Sequence, residues 1–202
     1  MKKVFFATVL TLIMFSGCSN DSDNQSSIPL TQAEIDDLKF LREEEKLARD
    51  VYLFSYDKYE AAIFNNISQS EQKHMNSVLS LMNKYGIPDS ASTEIGVFNN
   101  SDLQSLYSSL TAQSDISLIE ALKVGATIED LDINDIDVFI GHTTKSDLLN
   151  VYDNLTCGSK NHIRTYTSQL TANNVTYIPQ YISAEYYNLI LSESNGGCGK
   201  NN

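Results

Sequence analysis

The 202-residue chain contains no tryptophan, only three prolines and only nine glycines. Because β-sandwiches and barrels need many tight turns built on glycine and proline, this scarcity disfavours them and favours long uninterrupted helices. Basic residues are also few, 14 against 26 acidic ones, so the formal net charge is -12. Such a surface repels the phosphate backbone, which argues against nucleic acid as a partner.

Hydrophobic residues make up 42% of the chain and charged residues 20%, the composition of a globular protein with a packed core. Once the tails are set aside, the remaining length suits one domain of ordinary size.

Residues 1–17 have the layout of a signal peptide. A basic start precedes an apolar run over 4–15 that is too short for a membrane span, and Ser-Gly-Cys18 follows it. This segment resembles the lipobox of bacterial lipoproteins, in which cleavage before the cysteine leaves it as the acylated N-terminus. The resemblance implies lipidation of Cys18, a membrane as partner and a domain in the cell envelope. The polar residues 18–30 predict a flexible tether.

Amphipathic segments follow the tether. A capping box that starts at Thr31 predicts a helix, and no breaker occurs before Asn65. The pattern of apolar residues predicts three further long helices and one short helix. The long helices are expected at 68–85, 117–140 and 145–171, and the short helix at 100–113.

Helices of this length and order predict an all-α fold: an antiparallel four-helix bundle over 31–173 with one crossover and a short extra helix between helices two and three. Residues 174–202 are expected to form a C-terminal tail that packs on the bundle through two apolar patches and ends loosely. Export to an oxidising compartment would allow Cys157 and Cys198 to form a disulfide.

Polar residues interrupt the apolar face of each long helix near its middle. Buried carboxylates without partners are costly, so such a cluster needs compensating cations. Glu71 and His74 are three residues apart and therefore offer an oxygen and a nitrogen from one helix face. The interrupting residues are Glu45, Glu71, His74, Glu129, Asp132, Ser159 and His162. Four carboxylates and two histidines are the ligand set of a centre of two divalent metal ions.

Other interpretations of these residues remain open. The acids and histidines, with Arg49, also allow a metal-free buried network. Glu44 rivals Glu45, because Glu44 lies on a second apolar face of the first helix. Gly125, one turn from Glu129, leaves room either for an ion or for close helix packing.

The sequence also resembles a known group of proteins. The segments 45–52 (EKLARDVY) and 64–74 (FNNISQSEQKH) resemble the first half-site of rubrerythrin-like members of the ferritin superfamily. The span 34–172, including GSKNH at 158–162, resembles the ferritin-like domain of unknown function 2202. By the rubrerythrin pattern, the ligand positions fall on Glu45, Glu71, His74, Glu129 and His162, and Asp132 falls where a further carboxylate can sit. The departure is Ser159, where the superfamily's second Glu-x-x-His motif has glutamate.

The resemblance implies a centre of two iron ions, or of iron and manganese, that reacts with peroxide or oxygen or oxidises ferrous iron. The chain has no Cys-x-x-Cys motif and therefore lacks the rubredoxin-type iron centre that supplies electrons in many rubrerythrins. Turnover would need an unknown external electron donor. The alternative is a non-enzymatic helical module that serves as an interaction surface or holds metal. The sequence leaves both a monomer and a homodimer open.

Overall fold

The structure is a computed structural model that describes residues 29–194 and 196–198. In these residues the chain forms six α-helices and no strand, which confirms the predicted all-α class. The helices are α1 (Gln32–Tyr59), α2 (Ala62–Lys84), α3 (Ser101–Ser114), α4 (Leu118–Ile140), α5 (Ser146–Ala172) and α6 (Ala184–Ser192). The predicted signal peptide, Cys18 and the tether up to residue 28 lie outside the described residues. None of the six helices has the length and apolar character needed to cross a membrane.

The first helix begins where it was predicted but ends earlier. The Thr31 hydroxyl accepts a hydrogen bond from the Glu34 N–H, and the Thr31 N–H donates to the Glu34 carboxylate. The prediction of a helix without a break before Asn65 was wrong, because Glu60 adopts a left-handed backbone with φ of 50° and α1 stops at Tyr59. No glycine or proline marks this reversal. As a result α2 begins at Ala62, six residues before the predicted start at Ser68.

The other helix ends follow their capping residues. The Asn100 side chain accepts from two N–H groups at the start of α3, and the Ser117 hydroxyl accepts from the Glu120 N–H at the start of α4. Gly86, just after α2, has φ of 69°, the left-handed conformation that glycine tolerates best. These ends were predicted from the sequence because each depends on local chemistry.

Four long helices enclose the core. α1 packs along α2, α4 packs along α5, and the two pairs meet through contacts of α1 with α4 and of α2 with α5. Their buried apolar side chains form two clusters. On α1, Leu38 and Leu41 belong to one cluster and Leu47 and Val51 to the other. The acids near residue 45 therefore lie between two water-excluding layers.

The long connection between α2 and α3 is fixed to α1 by buried charges. The Lys46 ammonium, only 1% exposed, pairs with Asp50 at 2.6 Å and donates to the carbonyl oxygens of Glu94 and Val97. The Glu43 carboxylate accepts from two backbone N–H groups at the end of this connection. The charges of Glu43, Lys46 and Asp50 are therefore buried because they attach this connection to α1.

The C-terminal segment is held against α4 and α5. The buried Asp130 carboxylate accepts from the Tyr177 hydroxyl at 2.8 Å and from the Ile182 N–H at 2.9 Å. The predicted disulfide between Cys157 and Cys198 is present and attaches the end of the described chain to α5.

Candidate metal centre

The structure brings the predicted site residues together midway along the four long helices. α1 contributes one, α2 two, α4 two and α5 one, and none is more than 9% exposed. They are Glu45, Glu71, His74, Glu129, Asp132 and His162. Charged groups at this depth require partners of opposite charge.

Five of these residues form two overlapping trios of ligand atoms, each trio with its atoms within 4.8 Å of one another. Glu45, Glu71 and His74 form the first trio, and Glu71, Glu129 and His162 form the second. Glu71 belongs to both, so its carboxylate lies between the two histidines. Each trio offers two oxygens and one nitrogen, a donor set that could hold one divalent ion.

The distances around Glu71 are nearly the same on its two sides. One Glu71 oxygen lies 2.8 Å from Nδ1 of His74, and the other lies 2.8 Å from Nδ1 of His162. Each Nδ1 has a second carboxylate, Glu45 at 3.2 Å from His74 and Glu129 at 3.3 Å from His162. The two imidazole rings stack with their centroids 5.6 Å apart. The site therefore consists of two equivalent halves that share one acid.

Burial and neighbouring charges shift the pKa values of both histidines. Burial alone lowers an imidazole pKa, but Glu71 and Glu129 raise the pKa of His162 to about 10. Glu45 and Glu71 likewise raise the pKa of His74 well above its ordinary value. Burial favours a neutral Glu71, yet the two histidines lower the pKa of its carboxyl. Without other cations, protons on the two imidazoles neutralise part of the acidic charge.

Several buried carboxylate oxygens have no hydrogen-bond partner in the described part of the chain. These atoms are Oε1 of Glu45, Oε1 of Glu71, Oδ1 of Asp132 and both oxygens of Glu44. The 2.8 Å approach of Glu71 Oε1 to Nδ1 of His162 is a charge contact without hydrogen-bond geometry. Buried acceptors are almost always paired in folded proteins, and an unpaired carboxylate is the most costly kind. Bound cations would satisfy these atoms, so the residues present fit a metal centre.

Ser159, the predicted departure from the rubrerythrin pattern, binds Asp132. Its hydroxyl donates to the Asp132 carboxylate and also lies 3.0 Å from the Leu155 carbonyl oxygen. Burial, and next the charge of Glu129, raise the pKa of Asp132 to about 7. Asp132 lies outside both trios, so it is a neighbouring acid rather than a member of the converging ligand set.

Two residues position the site in ways that the apolar pattern did not reveal. The Tyr52 hydroxyl donates to Oε1 of Glu129 at 2.5 Å and so fixes that carboxylate. Gly158, which the sequence singled out only as the first residue of GSKNH at 158–162, makes room for the His74 ring. A glycine inside a helix, next to a predicted ligand face, was the available signal.

The structure bears on three residues whose roles the sequence left open. A Cβ at Gly125 would lie 2.4 Å from the Tyr166 ring, so this glycine serves close helix packing. The Arg49 guanidinium binds Asp50 and Gln72 and takes no part in the cluster. Glu45 joins a trio, whereas the equally buried Glu44 joins neither.

Comparison with known proteins agrees with this arrangement of helices. The chain is 48% identical over 167 residues to an uncharacterized protein of Methanocaldococcus jannaschii, MJ0754, and the match covers 82% of this chain and 90% of the relative. The crystal structure of hypothetical protein MJ0754 superposes with a TM-score of 0.82 and 48% identity, covering 84% of this chain and 97% of that chain. The model of the uncharacterized protein domain DUF2202 matches residues 34–194, a span that extends beyond residue 172. The chain belongs to the DUF2202 family.

Proposed function

We propose that α1, α2, α4 and α5 form a ferritin-like antiparallel bundle, with the connection that contains α3 as its crossover, and that its centre binds two divalent metal ions. The ions are two irons, or iron and manganese. The observation that carries this proposal is Glu71, whose two oxygens each lie 2.8 Å from a different buried histidine. A carboxylate placed in this way bridges two cations.

Each trio supplies the ligands of one ion. Glu45 and His74 would be terminal ligands of the first ion, and Glu129 and His162 of the second. Asp132 would supply a further carboxylate if its hydrogen bond with Ser159 were broken. Metal binding requires neutral imidazoles and ionised carboxylates, so it releases the protons that both histidines otherwise carry.

The centre is suited to reactions with peroxide or oxygen, or to the oxidation of ferrous iron. Bound ferrous ions would supply the electrons. Reduction of peroxide to water also consumes protons, which would come from solvent. Because the chain has no Cys-x-x-Cys motif, and because Cys157 and Cys198 are joined, repeated turnover would use an external electron donor.

The centre is tested by elemental analysis of the purified chain after anaerobic loading with ferrous iron or manganese. We expect about two ions per chain, the quota of a four-carboxylate, two-histidine bundle. Glu71→Gln should lose both ions, because each trio loses its shared ligand. His74→Ala and His162→Ala should each lose chiefly one ion.

Matched controls come from the same chain. His142→Ala removes the third histidine, which pairs with Asp37 outside the centre, and Glu120→Gln removes a partly exposed acid that pairs with Lys123. Both controls should retain the wild-type metal content. No bound transition metal, with a melting temperature indifferent to iron and manganese, would instead support the non-enzymatic helical module with a buried polar network.

Reactivity is tested separately by mixing the ferrous protein with peroxide or with oxygen and following iron oxidation. Oxidation by peroxide faster than that of free ferrous ion would support a peroxidase-like role, and preference for oxygen would support a ferroxidase-like role. Rates equal to that of free ferrous ion would leave a protein that holds metal without catalysis.

We also propose that Cys18 carries a lipid anchor that keeps the domain at a bacterial membrane. Its support is the Ser-Gly-Cys18 pattern after an apolar run. Cys18→Ser should leave the protein soluble or unprocessed in detergent partitioning. Unchanged partitioning of this variant would contradict the anchor.

A further inference from the structure

The disulfide between Cys157 and Cys198 is open to solvent. Cys198 lies in an exposed segment after α6, and Cys157 on α5 is partly exposed. Cys157 also lines a cleft of about 440 Å³, whose walls include Ile140 of α4 and Tyr186 of α6. Exposed disulfides are more easily reduced than protected structural ones. A reductant can therefore reach this bond in the folded protein.

Asn161 holds the segment that carries Cys198 on α5 by contacts other than the disulfide. Its side-chain amide donates to the Gly196 carbonyl oxygen at 3.0 Å and to Sγ of Cys198 at 3.3 Å. Its side-chain oxygen accepts from the Gly196 N–H at 3.2 Å. Asn161 lies four residues after Cys157 and so leaves the same face of α5. These contacts keep the two sulfurs close after the S–S bond breaks, so the bond can form again.

Cys157 is connected to the candidate metal centre through the next residue. The Gly158 backbone approaches both imidazoles, because a Cβ there would lie 2.5 Å from Nε2 of His74 and 3.9 Å from Cε1 of His162. One peptide bond and one nonbonded contact therefore separate Cys157 from a ligand of each trio. Electronic coupling falls steeply with the gap between two redox groups, so a connection this short suits electron transfer.

We propose that Cys157 and Cys198 form a redox-active pair that accepts two electrons from a dithiol protein and passes them to the metal centre. This inference rests on the proposed function, because it identifies the chemical class of the external electron donor that repeated turnover needs. The partner is a protein with two neighbouring thiols that reduces disulfides.

Reduction of the pair is a thiol–disulfide exchange. A thiolate of the partner attacks Sγ of the exposed Cys198, the S–S bond breaks, and Cys157 leaves as a thiolate that takes up a proton. The partner's second thiol then displaces Cys198 as a thiol. The partner ends as a disulfide, and the pair ends as two thiols.

Oxidation of the pair returns the electrons to the centre. The two thiols re-form their S–S bond, release two protons and give two electrons, which reduce two ferric ions to ferrous. Reduction of one peroxide to two waters consumes two electrons and two protons. One cycle of the pair therefore restores the centre after one peroxide.

The first measurement needs no metal and uses the chain with Cys18→Ser, so that only the pair is counted. The folded, metal-free chain is treated with dithiothreitol without denaturant, the reductant is removed, and thiols are labelled. We expect two labelled thiols per chain. Asn161→Ala should be reduced as well but should re-form its disulfide more slowly with oxidised dithiothreitol. A pair that stays oxidised in the folded chain would overturn the inference.

The second measurement follows electrons into the centre. The reduced chain is loaded anaerobically with ferrous iron and mixed with one equivalent of peroxide, and ferric absorbance and free thiols are recorded together. We expect ferric absorbance to appear and then to decay as the thiols disappear, with two thiols lost for two ferric ions reduced.

The double variant with Cys157→Ser and Cys198→Ser is the matched control, because the reduced wild type lacks the crosslink as well. It should still bind iron, and its ferric absorbance should persist. If this variant fails to fold, reduced wild type with both thiols blocked by iodoacetamide gives the same comparison. The reduced, metal-free wild type mixed with peroxide should keep its thiols over the same period.

The outcomes separate this inference from the proposed function. Equal decay of ferric absorbance with and without the thiols, or thiols that persist beside ferric ions, would overturn the inference and leave the centre intact. Equally fast loss of thiols without metal would show direct attack by peroxide and would also overturn it. A chain that binds no iron, although its pair is reduced and re-forms, would overturn the proposed function, and electron transfer with it.

Discussion

Gly158 on α5 packs directly against the imidazole of His74 on α2, so closely that a Cβ at position 158 would lie 2.5 Å from Nε2. The opposite side of the ring is fixed as well, because Nδ1 of His74 contacts Glu45 and Glu71. The imidazole therefore has little room to turn. A change at Gly158 acts on the first trio without removing any ligand.

Gly158→Ala should weaken metal binding at the first trio while the second keeps its ion. The added methyl group displaces the His74 ring, and changes in groups that orient a metal ligand cost about tenfold or more in affinity. Isothermal titration with Mn²⁺ should show one weakened and one unchanged site. Two unchanged sites would mean that the ring shifts without consequence for the metal.

The metal-free protein should lose stability as the pH rises from about 5 to about 9. The folded pKa of Asp132 is raised from 3.8 to about 7 and that of His162 from 6.5 to about 10. A raised folded pKa gives stability that is complete below the unfolded pKa and is lost as the pH rises through the folded one. The lowered pKa of Glu71 gives stability that is lost only in more acidic solution.

Metal loading should reverse this slope, because ligands bind metal more tightly after losing their protons. Melting temperatures measured in chelator and in excess Mn²⁺ across the same pH range give the comparison. Asp132→Asn should flatten the chelator curve below about pH 7, where Asp132 titrates. A chelator curve that rises with pH would show that the folded protein does not hold these protons.

Local chemistry determined how much of this fold could be predicted. Thr31, Asn100 and Ser117 cap the helices that their side chains predict, because a cap depends on a few neighbouring residues. Glu60 was missed because a left-handed glutamate has no sequence signal, and tertiary packing of α1 on α2 has to stabilise it. Helices with a periodic pattern and a capping residue were therefore easier to predict than the single left-handed residue Glu60.

The same limit applies to the centre. The residues of the candidate centre could be selected from the sequence because a charged side chain on an apolar helix face is costly to bury without a partner. The division of these residues into two trios depends on how each helix is rotated about its own axis. The spacing of apolar residues does not determine that rotation to within one residue, so the sequence could not decide between Glu44 and Glu45 as the ligand. The contact of Ser159 with Asp132 joins two helices and likewise required the structure.

Reduction of the disulfide between Cys157 and Cys198 should lower the free energy of unfolding. The crosslink closes a loop with a sequence separation of 41, for which the chain-entropy relation gives a contribution of at most about 4 kcal/mol. Urea unfolding with and without reductant measures the change. Cys198→Ser is the control, since its stability should already be reduced and should not respond to reductant. Identical curves for the wild type in both conditions would contradict this contribution.

Ser159→Glu should make the protein depend on metal for its stability. Ser159 is fully buried, so the longer side chain overpacks the core at a cost of roughly 1–3 kcal/mol and adds another acid to the cluster. The substitution also removes the hydroxyl that donates to Asp132. In chelator the variant should therefore melt below the wild type.

With iron or manganese present, the new carboxylate would complete the superfamily ligand pattern, so metal should raise the melting temperature of Ser159→Glu more than that of the wild type. Ser159→Gln is the matched control, because it has nearly the same volume without the charge; it should be destabilised in chelator and only weakly rescued by metal. Peroxide should oxidise the ferrous Ser159→Glu protein more slowly than the wild type, since the added carboxylate fills the side of the centre next to Asp132. Equal rescue of the Glu and Gln variants would show that position 159 does not face the ions.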